Sequence, residues 1–478
     1  MAAYKESIFG FSIPLLLVEV FLLVSVVVSF SSQITMHDQQ RIGQMLLLLL
    51  MALGGMSLWQ RSALDAFQLL PCWTQTTWTL GLGLGVISAL LAAHPRYAGL
   101  EWALLVLLSW TVFVLANEAR KLTDNFDTWA VRIIILVALF IALRALINYG
   151  LVLFSSYSID AGKLFSSSFG NPRFFGQAAS LLLPLMVLPL LLGNLPTVQR
   201  VLLFLLLAIF WMLLIVSATR GSFLGMAVAA SILALTSWHT ACRWLGWQAG
   251  GLLLGLILFS LLFLWLPESA QHPGLYVENR LENPTTLSKR EIIWSLAWQQ
   301  ILAHPWLGIG PMHLAAIPNP VATHPHNAPL QLAAEWGLPA TVAFLLPLVY
   351  GMRSLLIRVR QAQTAPDQTL LICLSASLLA ATTQSIVDGV IVMPYTQTLL
   401  IFILGWAIGV YFRSAKPATK PISRARSAFS STLLILALGL LLWGIYPEVL
   451  HRAEITRNLL DSGVTHFNPR FWVHGWIP

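Results

Sequence analysis

Residues 201–217 read VLLFLLLAIFWMLLIVS, a run of apolar or small residues without a charge. A helix of about 17–25 such residues is long enough to cross the roughly 30 Å hydrocarbon layer of a bilayer. Runs of this kind recur along the chain and predict about 12–13 spans, because lipid cannot satisfy an open backbone and therefore requires helices. The predicted cores are 11–30, 42–59, 78–94, 100–116, 129–153, 176–192, 201–217, 222–237, 249–266, 336–351, 368–386, 395–412 and 428–446. The sequence thus predicts an all-α integral membrane protein.

The composition agrees with a chain whose solvent is mostly lipid. Of 478 residues, 57% are hydrophobic and 10% are charged, with a mean hydropathy of +0.77. This excludes an ordinary soluble domain. The net charge of +8 does not indicate nucleic-acid binding, because the lysines and arginines lie mainly in short loops between apolar runs. The three cysteines, Cys72, Cys242 and Cys373, lack the spacing of a disulfide framework or a metal site.

Basic loops predict the orientation of the C-terminal third. Arginines at 353–360 follow one span, and a basic stretch at 413–426 follows another. Because short cytoplasmic loops are rich in lysine and arginine, both loops should lie in the cytoplasm. The long loop 268–335, segment 155–175 and the turn at 218–221 then lie on the periplasmic side.

These assignments divide the chain into a membrane domain, residues 1–446, and a short periplasmic tail, 447–478. The tail is too short to form a core of its own, although 448–460 has a helical pattern. The first span, 11–30, lacks a small-residue cleavage signal at its end and is expected to remain uncleaved.

The long loop 268–335 carries the helix signals that point to a site. Ser288-Lys289-Arg290-Glu291 reads as a capping box, which would place Arg290 in a first helical turn. A second helix is expected to begin near Asn327, with Pro329 in its first turn. His326 would then lie at a helix N-terminus, where free backbone N–H groups favour an anion.

Two further polar motifs are predicted to face the same side. Thr219-Arg220-Gly221 joins two spans, and Asn171-Pro172-Arg173-Phe174-Phe175-Gly176-Gln177 precedes another. Gly221 would let a partner approach the backbone closely. We therefore expect Arg173, Arg220, Arg290 and His326 to converge at one membrane face.

The ordered motifs resemble those of the O-antigen ligase superfamily, which includes O-antigen polymerases and protein O-oligosaccharyltransferases. They are the 219–221 motif, Arg290 followed by Trp294, the turn PWLGIG at 305–310, and His326-Asn327 leading to EWGL at 335–338. The resemblance covers about residues 165–415. It implies a GT-C-like membrane glycosyltransferase that moves a glycan from undecaprenyl diphosphate to an acceptor, with inversion and without a metal or other cofactor.

The resemblance also implies roles for particular residues. Arg220 and Arg290 would bind the diphosphate, and His326 would act at the acceptor hydroxyl, which makes these three the candidate catalytic residues. Arg173, His324, Asn327 and Lys289 are the candidate substrate-binding residues. His324 lies two residues before His326, so which of the two histidines is the base stays open.

Alternatives remain for the acceptor and for the class of protein. The resemblance favours transfer of O-antigen to lipid A–core, with a pilin-type protein or a growing glycan as the other acceptors. A transporter or flippase of an anionic lipid-linked substrate belongs to a different class and should carry charges at the bilayer midplane. Arg144 and Asp388 come nearest to that, and Asp388 is interpreted as an ordinary loop acid.

Several aromatic and histidine residues of the loop have simpler interpretations than catalysis. Trp294, Trp298 and Trp306 are expected to be interface anchors. His304 and His313 are expected to be turn residues.

Overall fold

The fold is described from a computed structural model of the chain. The structure describes residues 12–155, 158–193, 195–269, 275–276, 289–362, 364–415, 421–461 and 468–477. Of the predicted loop residues, Glu278, Arg280, Glu282 and Ser288 lie outside the described residues.

The described chain is almost entirely helical. Its helices in the N-terminal half are α1 (Ile13–Val27), α2 (Met36–Ser57), α3 (Gln60–Gln68), α4 (Cys72–Leu91), α5 (Pro95–Leu122), α6 (Asp124–Leu153), α7 (Ala161–Phe165), α8 (Pro172–Met186), α9 (Leu188–Leu192), α10 (Thr197–Ser217), α11 (Arg220–Thr236), α12 (Trp238–Phe259) and α13 (Leu266–Ser269). Those in the C-terminal half are α14 (Arg290–Ala303), α15 (Ala328–Trp336), α16 (Leu338–Gln361), α17 (Ala365–Gln384), α18 (Pro394–Tyr411), α19 (Arg424–Ile445) and α20 (Arg452–Asp461). A π-helical turn, Ser260–Trp265, joins α12 to α13, and His313–Ala316 forms a 3-10 turn.

Each predicted core coincides with a helix, and the all-α membrane class is confirmed. Within the described ranges, nine helices are long and apolar enough to cross a membrane. The pair α2 and α3, bent by 88°, could add a tenth. The difference from the predicted 12–13 spans has a physical origin, because α1 and α11 are short and the first half of α4 is rich in threonine and glutamine.

Small residues bring neighbouring helices together. A Cβ added at Gly405 of α18 would lie 2.9 Å from the Val112 carbonyl oxygen of α5, and one at Gly409 would lie 2.6 Å from that of Ala116. Two glycines four residues apart therefore allow the α5 and α18 backbones to approach as in small-residue packing between membrane helices.

The two ends of the helix bundle carry different residues. At one end, Arg360 donates to the Thr236 carbonyl at 2.7 Å, and Arg413 pairs with Asp127 at 2.5 Å. The basic clusters used to predict orientation thus lie together. The opposite end, called the site end below, carries the loop from α14 to α15 and the N-termini of α8 and α11.

Arg144, the mid-helix charge considered for a transporter, has a structural role. It lies on α6, where its guanidinium donates to the carbonyls of Val26 and Val27 at the end of α1 and to Ser167. It therefore satisfies backbone groups at a helix C-terminus.

A short strand pairing and the packing of the C-terminal tail bring further parts of the chain to the site end. Ile159–Asp160 and Leu275–Tyr276 form a two-residue parallel bridge between the predicted periplasmic segments. The tail, which includes α20, returns so that Phe471 and Trp472 are buried against α2 and α5.

Candidate active site

The turn between α10 and α11 presents Arg220 at the site end. Ala218 adopts a left-handed backbone with φ of +50° and ends α10, and Thr219 precedes α11. Arg220 is the first residue of α11. Gly221 packs closely on α17, because an added Cβ would lie 3.3 Å from Gln384 and Val387 side-chain atoms. The predicted close approach at Gly221 is therefore toward another helix of the protein.

Arg173 lies in the first turn of α8. The Asn171 side chain accepts a hydrogen bond from the Arg173 backbone N–H at 2.9 Å and caps the helix, and Pro172 occupies the first position. This arrangement is the usual way to begin a helix with proline. The 171–177 motif thus encodes a helix N-terminus.

Arg290 is the first residue of α14, as predicted from its place in a first turn. Lys289 precedes the helix with φ of +61° and makes no side-chain capping bond. The capping box depends on Ser288, which lies outside the described residues, and so it stays a prediction. Burial lowers the pKa of the Arg290 guanidinium, while Asp388 raises it and Arg220 lowers it. Arg290 therefore lies within electrostatic range of both residues.

The segment 323–327, called the histidine turn here, leads into α15. Asn327 caps the helix by accepting from the Leu330 N–H at 2.9 Å, and α15 begins at Ala328, as predicted. The Ala328 N–H donates to the Ser385 carbonyl at 2.8 Å. His326, with φ of +53°, is held between α15 and the end of α17.

Trp294 supports this turn directly. Its indole N–H donates to the Pro325 carbonyl at 2.8 Å. Trp294 thus contacts the histidine turn, and its expected role as an interface anchor stays a prediction. Trp298 and Trp306 are exposed, as such anchors would be.

His326 faces an acid that sequence reasoning left out of the site. Its Nδ1 lies 3.9 Å from Oδ1 of Asp388, which is longer than a hydrogen bond. Burial lowers the pKa of His326, Asp388 raises it, and Arg290 and Arg173 lower it further. The imidazole is therefore neutral at pH 7 and lies among charges of both signs.

A buried polar network fixes Asp388. Its Oδ1 accepts from Gln177 of α8 at 3.0 Å and from the Gly389 N–H at 2.8 Å, and its Oδ2 accepts from Gln384 of α17 at 3.2 Å. Gln384 also donates to Ser222 of α11 at 3.0 Å. The interpretation of Asp388 as an ordinary loop acid is thus wrong, because side chains of α8 and α17 donate to its carboxylate and α11 joins the network through Ser222. The signal in the sequence was an acid just after a span that is predicted to end on the site side.

The second histidine lies behind the first. The His324 ring centroid is 4.2 Å from that of His326, and His324 is 1% exposed. Burial holds its pKa well below the ordinary value, and His326, Arg470 and Arg290 lower it further. His326, by contrast, is 18% exposed. His326 is therefore the one of the two that a substrate can reach more easily.

The remaining predicted residues fall into separate positions. Lys289 is exposed beside the start of α14, and no contact among the described residues connects it to His326. His304 is exposed. His313 is buried and structural, because its Nδ1 contacts the Pro311 carbonyl at 2.9 Å and its Nε2 accepts from the His94 N–H at 2.9 Å.

The residues of the site do not form a metal-binding group. Among the residues that the structure describes, no group of three or more His, Cys, Asp or Glu side chains could hold an ion. Metal-independent chemistry stays a prediction. Among the described residues, Arg173, Arg220 and Arg290 place positive charge at the N-termini of α8, α11 and α14.

The comparison with known families agrees with the motifs. Residues 202–345 match the sequence model of the O-antigen ligase family, a segment that contains Arg220, Arg290, His324, His326 and Asn327. No curated protein matches the chain. The resemblance to the O-antigen ligase superfamily is thereby confirmed for residues 202–345 of this multi-pass membrane protein.

Proposed function

We propose that the protein transfers a glycan from undecaprenyl diphosphate to an acceptor on the periplasmic face of the bacterial inner membrane. The observation that carries the proposal is the grouping of three helix N-terminal arginines around this site. Arg173 and Arg290 lie within electrostatic range of His326, and Arg220 lies within range of Arg290. The family match supports glycosyl transfer of the O-antigen ligase or polymerase type.

The arginines are placed where a diphosphate would bind. Arg220 and Arg290 are the first residues of α11 and α14, and Arg173 is the second residue of α8. Positive side chains oppose the helix dipole at an N-terminus, and an anion bound among them would offset that repulsion. A diphosphate supplies that anion and accepts bidentate bonds from guanidinium groups.

His326 and Asp388 supply the base. With Nδ1 turned toward Asp388, Nε2 is the ring nitrogen that can take a proton. The acceptor oxygen attacks C1 of the donor sugar, its proton passes to Nε2, and the C1–O bond to the diphosphate breaks with inversion. The electron pair leaves on the diphosphate, where the arginines stabilise the charge. Asp388 then stabilises the imidazolium. For this, the 3.9 Å distance between His326 Nδ1 and Asp388 Oδ1 must shorten to a hydrogen bond as substrate binds.

We take lipid A–core as the acceptor and O-antigen as the glycan. The superfamily resemblance favours this pair, and a pilin-type protein or a growing glycan would use the same donor chemistry. Lipid A–core meets the requirement that the acceptor hydroxyl reach a site at the membrane surface.

The experiment is reconstitution of the full chain in lipid vesicles with a labelled undecaprenyl-diphosphate glycan. Lipid A–core, a pilin-type protein and unlabelled lipid-linked glycan are offered separately, with and without EDTA. We expect label on lipid A–core in both conditions. Label only on protein would show that the acceptor is a protein, and label only in longer lipid-linked glycan would show that it is a growing glycan. Either result would contradict lipid A–core as the acceptor. Movement of intact lipid-linked glycan across the vesicle without transfer would instead show a flippase.

The side of the membrane is tested independently. Reporter fusions at Pro320 should report the periplasm, and those at Gln361 the cytoplasm, because of the arginines at 353–360. A cytoplasmic signal at Pro320 would contradict the proposed location of the site.

A further inference from the structure

The C-terminal segment 468–477 packs against the histidine turn. The Thr323 hydroxyl donates to the Asn468 carbonyl at 2.9 Å, and the Ile477 N–H donates to the Ala315 carbonyl at 3.1 Å. An added Cβ at Gly475 would lie 2.8 Å from the Thr323 methyl group. The segment therefore contacts the first residue of the histidine turn and the 3-10 turn that precedes it.

Arg470 of this segment joins two carboxylates from distant parts of the chain. Its Nη2 lies 2.5 Å from Oε2 of Glu335 and 2.6 Å from Oε1 of Glu101. Arg470 is 1% exposed and Glu335 is fully buried. A single nitrogen thus bridges α5 and α15, with the Glu335 side buried and the Glu101 side partly exposed.

Glu335 connects this ion pair to the catalytic turn. It is the eighth of nine residues of α15, a short helix that begins directly after His326-Asn327. Its other oxygen accepts from the Leu314 N–H at 3.1 Å. Burial raises the pKa of the Glu335 carboxyl, and the Arg470 guanidinium opposes that rise. The cation therefore helps to keep the carboxylate charged in a buried position.

The same segment is anchored to α2 by separate contacts. The Val473 N–H donates to Asp38 at 2.7 Å, and the Arg41 guanidinium donates to the Phe471 carbonyl at 3.0 Å. Arg452 lies 3.6 Å from Asp38. These contacts fix the segment to the membrane helices. Because Arg470 belongs to this segment and pairs with Glu335, it ties α15 to the same fixed position.

We propose that Arg470 is a positioning residue for glycosyl transfer. Through Glu335 it holds α15, and with it His326, in the orientation that the acceptor hydroxyl requires. The proposal rests on the proposed function for its catalytic consequence. Its structural part, the coupling of residues 468–477 to the histidine turn, stands apart from that function.

The two carboxylates give a matched pair of variants. Glu335→Gln and Glu101→Gln each remove one of the two carboxylate charges that pair with the Arg470 guanidinium, but only Glu335 lies on α15. We expect Glu335→Gln to lower kcat at saturating donor at least about tenfold with little change in donor KM, because a misplaced base costs rate and not binding. Glu101→Gln should lower kcat by less than about threefold, because the more exposed pair is worth less.

Replacing Arg470 tests the cation itself. Arg470→Met should lose transfer as Glu335→Gln does, whereas Arg470→Lys should keep at least about a fifth of kcat, since an ammonium is a compact point charge with three donors. Arg96→Met is the control, because Arg96 binds the Gly444 carbonyl and Glu448 at the same end of the bundle. Equal loss in Glu335→Gln and Glu101→Gln, or an inactive Arg470→Lys, would overturn the proposal.

Backbone hydrogen exchange tests the structural coupling without measuring glycan transfer, and so it separates this inference from the proposed function. It compares Glu335→Gln with Glu101→Gln and therefore does not depend on whether Arg470→Met folds. We expect faster exchange at residues 323–331 in Glu335→Gln than in Glu101→Gln, whether or not any glycan is transferred. Unchanged exchange in both variants would refute the coupling. Absence of transfer in the wild-type protein, with the exchange difference present, would refute the proposed function alone.

Discussion

Nδ1 of His326 lies 3.9 Å from Oδ1 of Asp388, although the two residues come from the histidine turn and from the end of α17. Gln177, Gln384 and the Gly389 N–H hold the carboxylate in place. A fixed acid behind a histidine is the arrangement that orients an imidazole and stabilises its protonated form.

Asp388→Asn should therefore reduce transfer while the protein still binds donor. Loss of the counter-charge leaves the imidazolium unstabilised, and we expect kcat to fall about 10²-fold or more. Donor affinity should be unchanged or higher, because a negative charge near the diphosphate is removed. The measurement is donor binding and single-turnover transfer, with the exposed Asp367→Asn as control. Wild-type transfer by Asp388→Asn would remove Asp388 from the mechanism.

The pH dependence of transfer should follow the neutral form of His326. Burial and the nearby arginines lower its pKa in the free protein, so the acid limb of kcat/KM for donor should lie below the ordinary histidine value of about 6.5. Bound diphosphate offsets the arginine charge and should raise this pKa. The acid limb of kcat should therefore lie at higher pH than that of kcat/KM, since the two report the complex and the free enzyme. The reverse order of the two limbs would contradict the role of the arginines.

The contact between Trp294 and the histidine turn can be tested with a matched pair on one helix. Trp294→Phe removes the indole N–H that donates to the Pro325 carbonyl, a bond worth about 1 kcal/mol. We expect slower transfer and unchanged donor binding. Trp298→Phe on the exposed face of α14 should be neutral. Equal effects of the two changes would mean that the Pro325 bond does not position the turn.

Arginine geometry, as well as charge, should matter at the diphosphate. Lysine keeps the charge but lacks the planar fork that binds two oxygens at once. Arg220→Lys and Arg290→Lys should each lose most transfer activity, and Arg200→Lys, which changes an arginine at the start of α10, should not. Near wild-type activity of Arg290→Lys would reduce its role to that of a point charge.

Much of this site was predictable from local patterns. The 219–221 motif, the position of Arg290 in a first helical turn and the helix start near Asn327 depend on residues adjacent in sequence, and the structure places each as a helix N-terminus. The family resemblance supplied their roles. Lys289 was the weaker choice, because a residue beside a motif need not point into the site.

What could not be predicted depends on contacts between distant residues. Asp388 is recognisable only once α8, α11 and α17 are packed together. Arg470 and Glu335 are separated by 135 positions, and a single sequence carries no signal that pairs them. Arg41 of α2 is buried and donates to Gln397 and to the Val392 carbonyl, and these contacts also depend on tertiary packing.

The central claim is that His326 performs chemistry while the arginines bind the donor. It is tested by measuring, in inserted and stably expressed variants, the affinity for labelled undecaprenyl-diphosphate glycan and the single-turnover rate of transfer. We predict that His326→Ala binds donor like the wild type but loses about 10²–10⁴-fold in rate, that Arg290→Ala and Arg220→Ala lose both, and that His324→Ala is milder. Transfer at the wild-type rate by His326→Ala, together with an inactive His324→Ala, would contradict the assignment of the base.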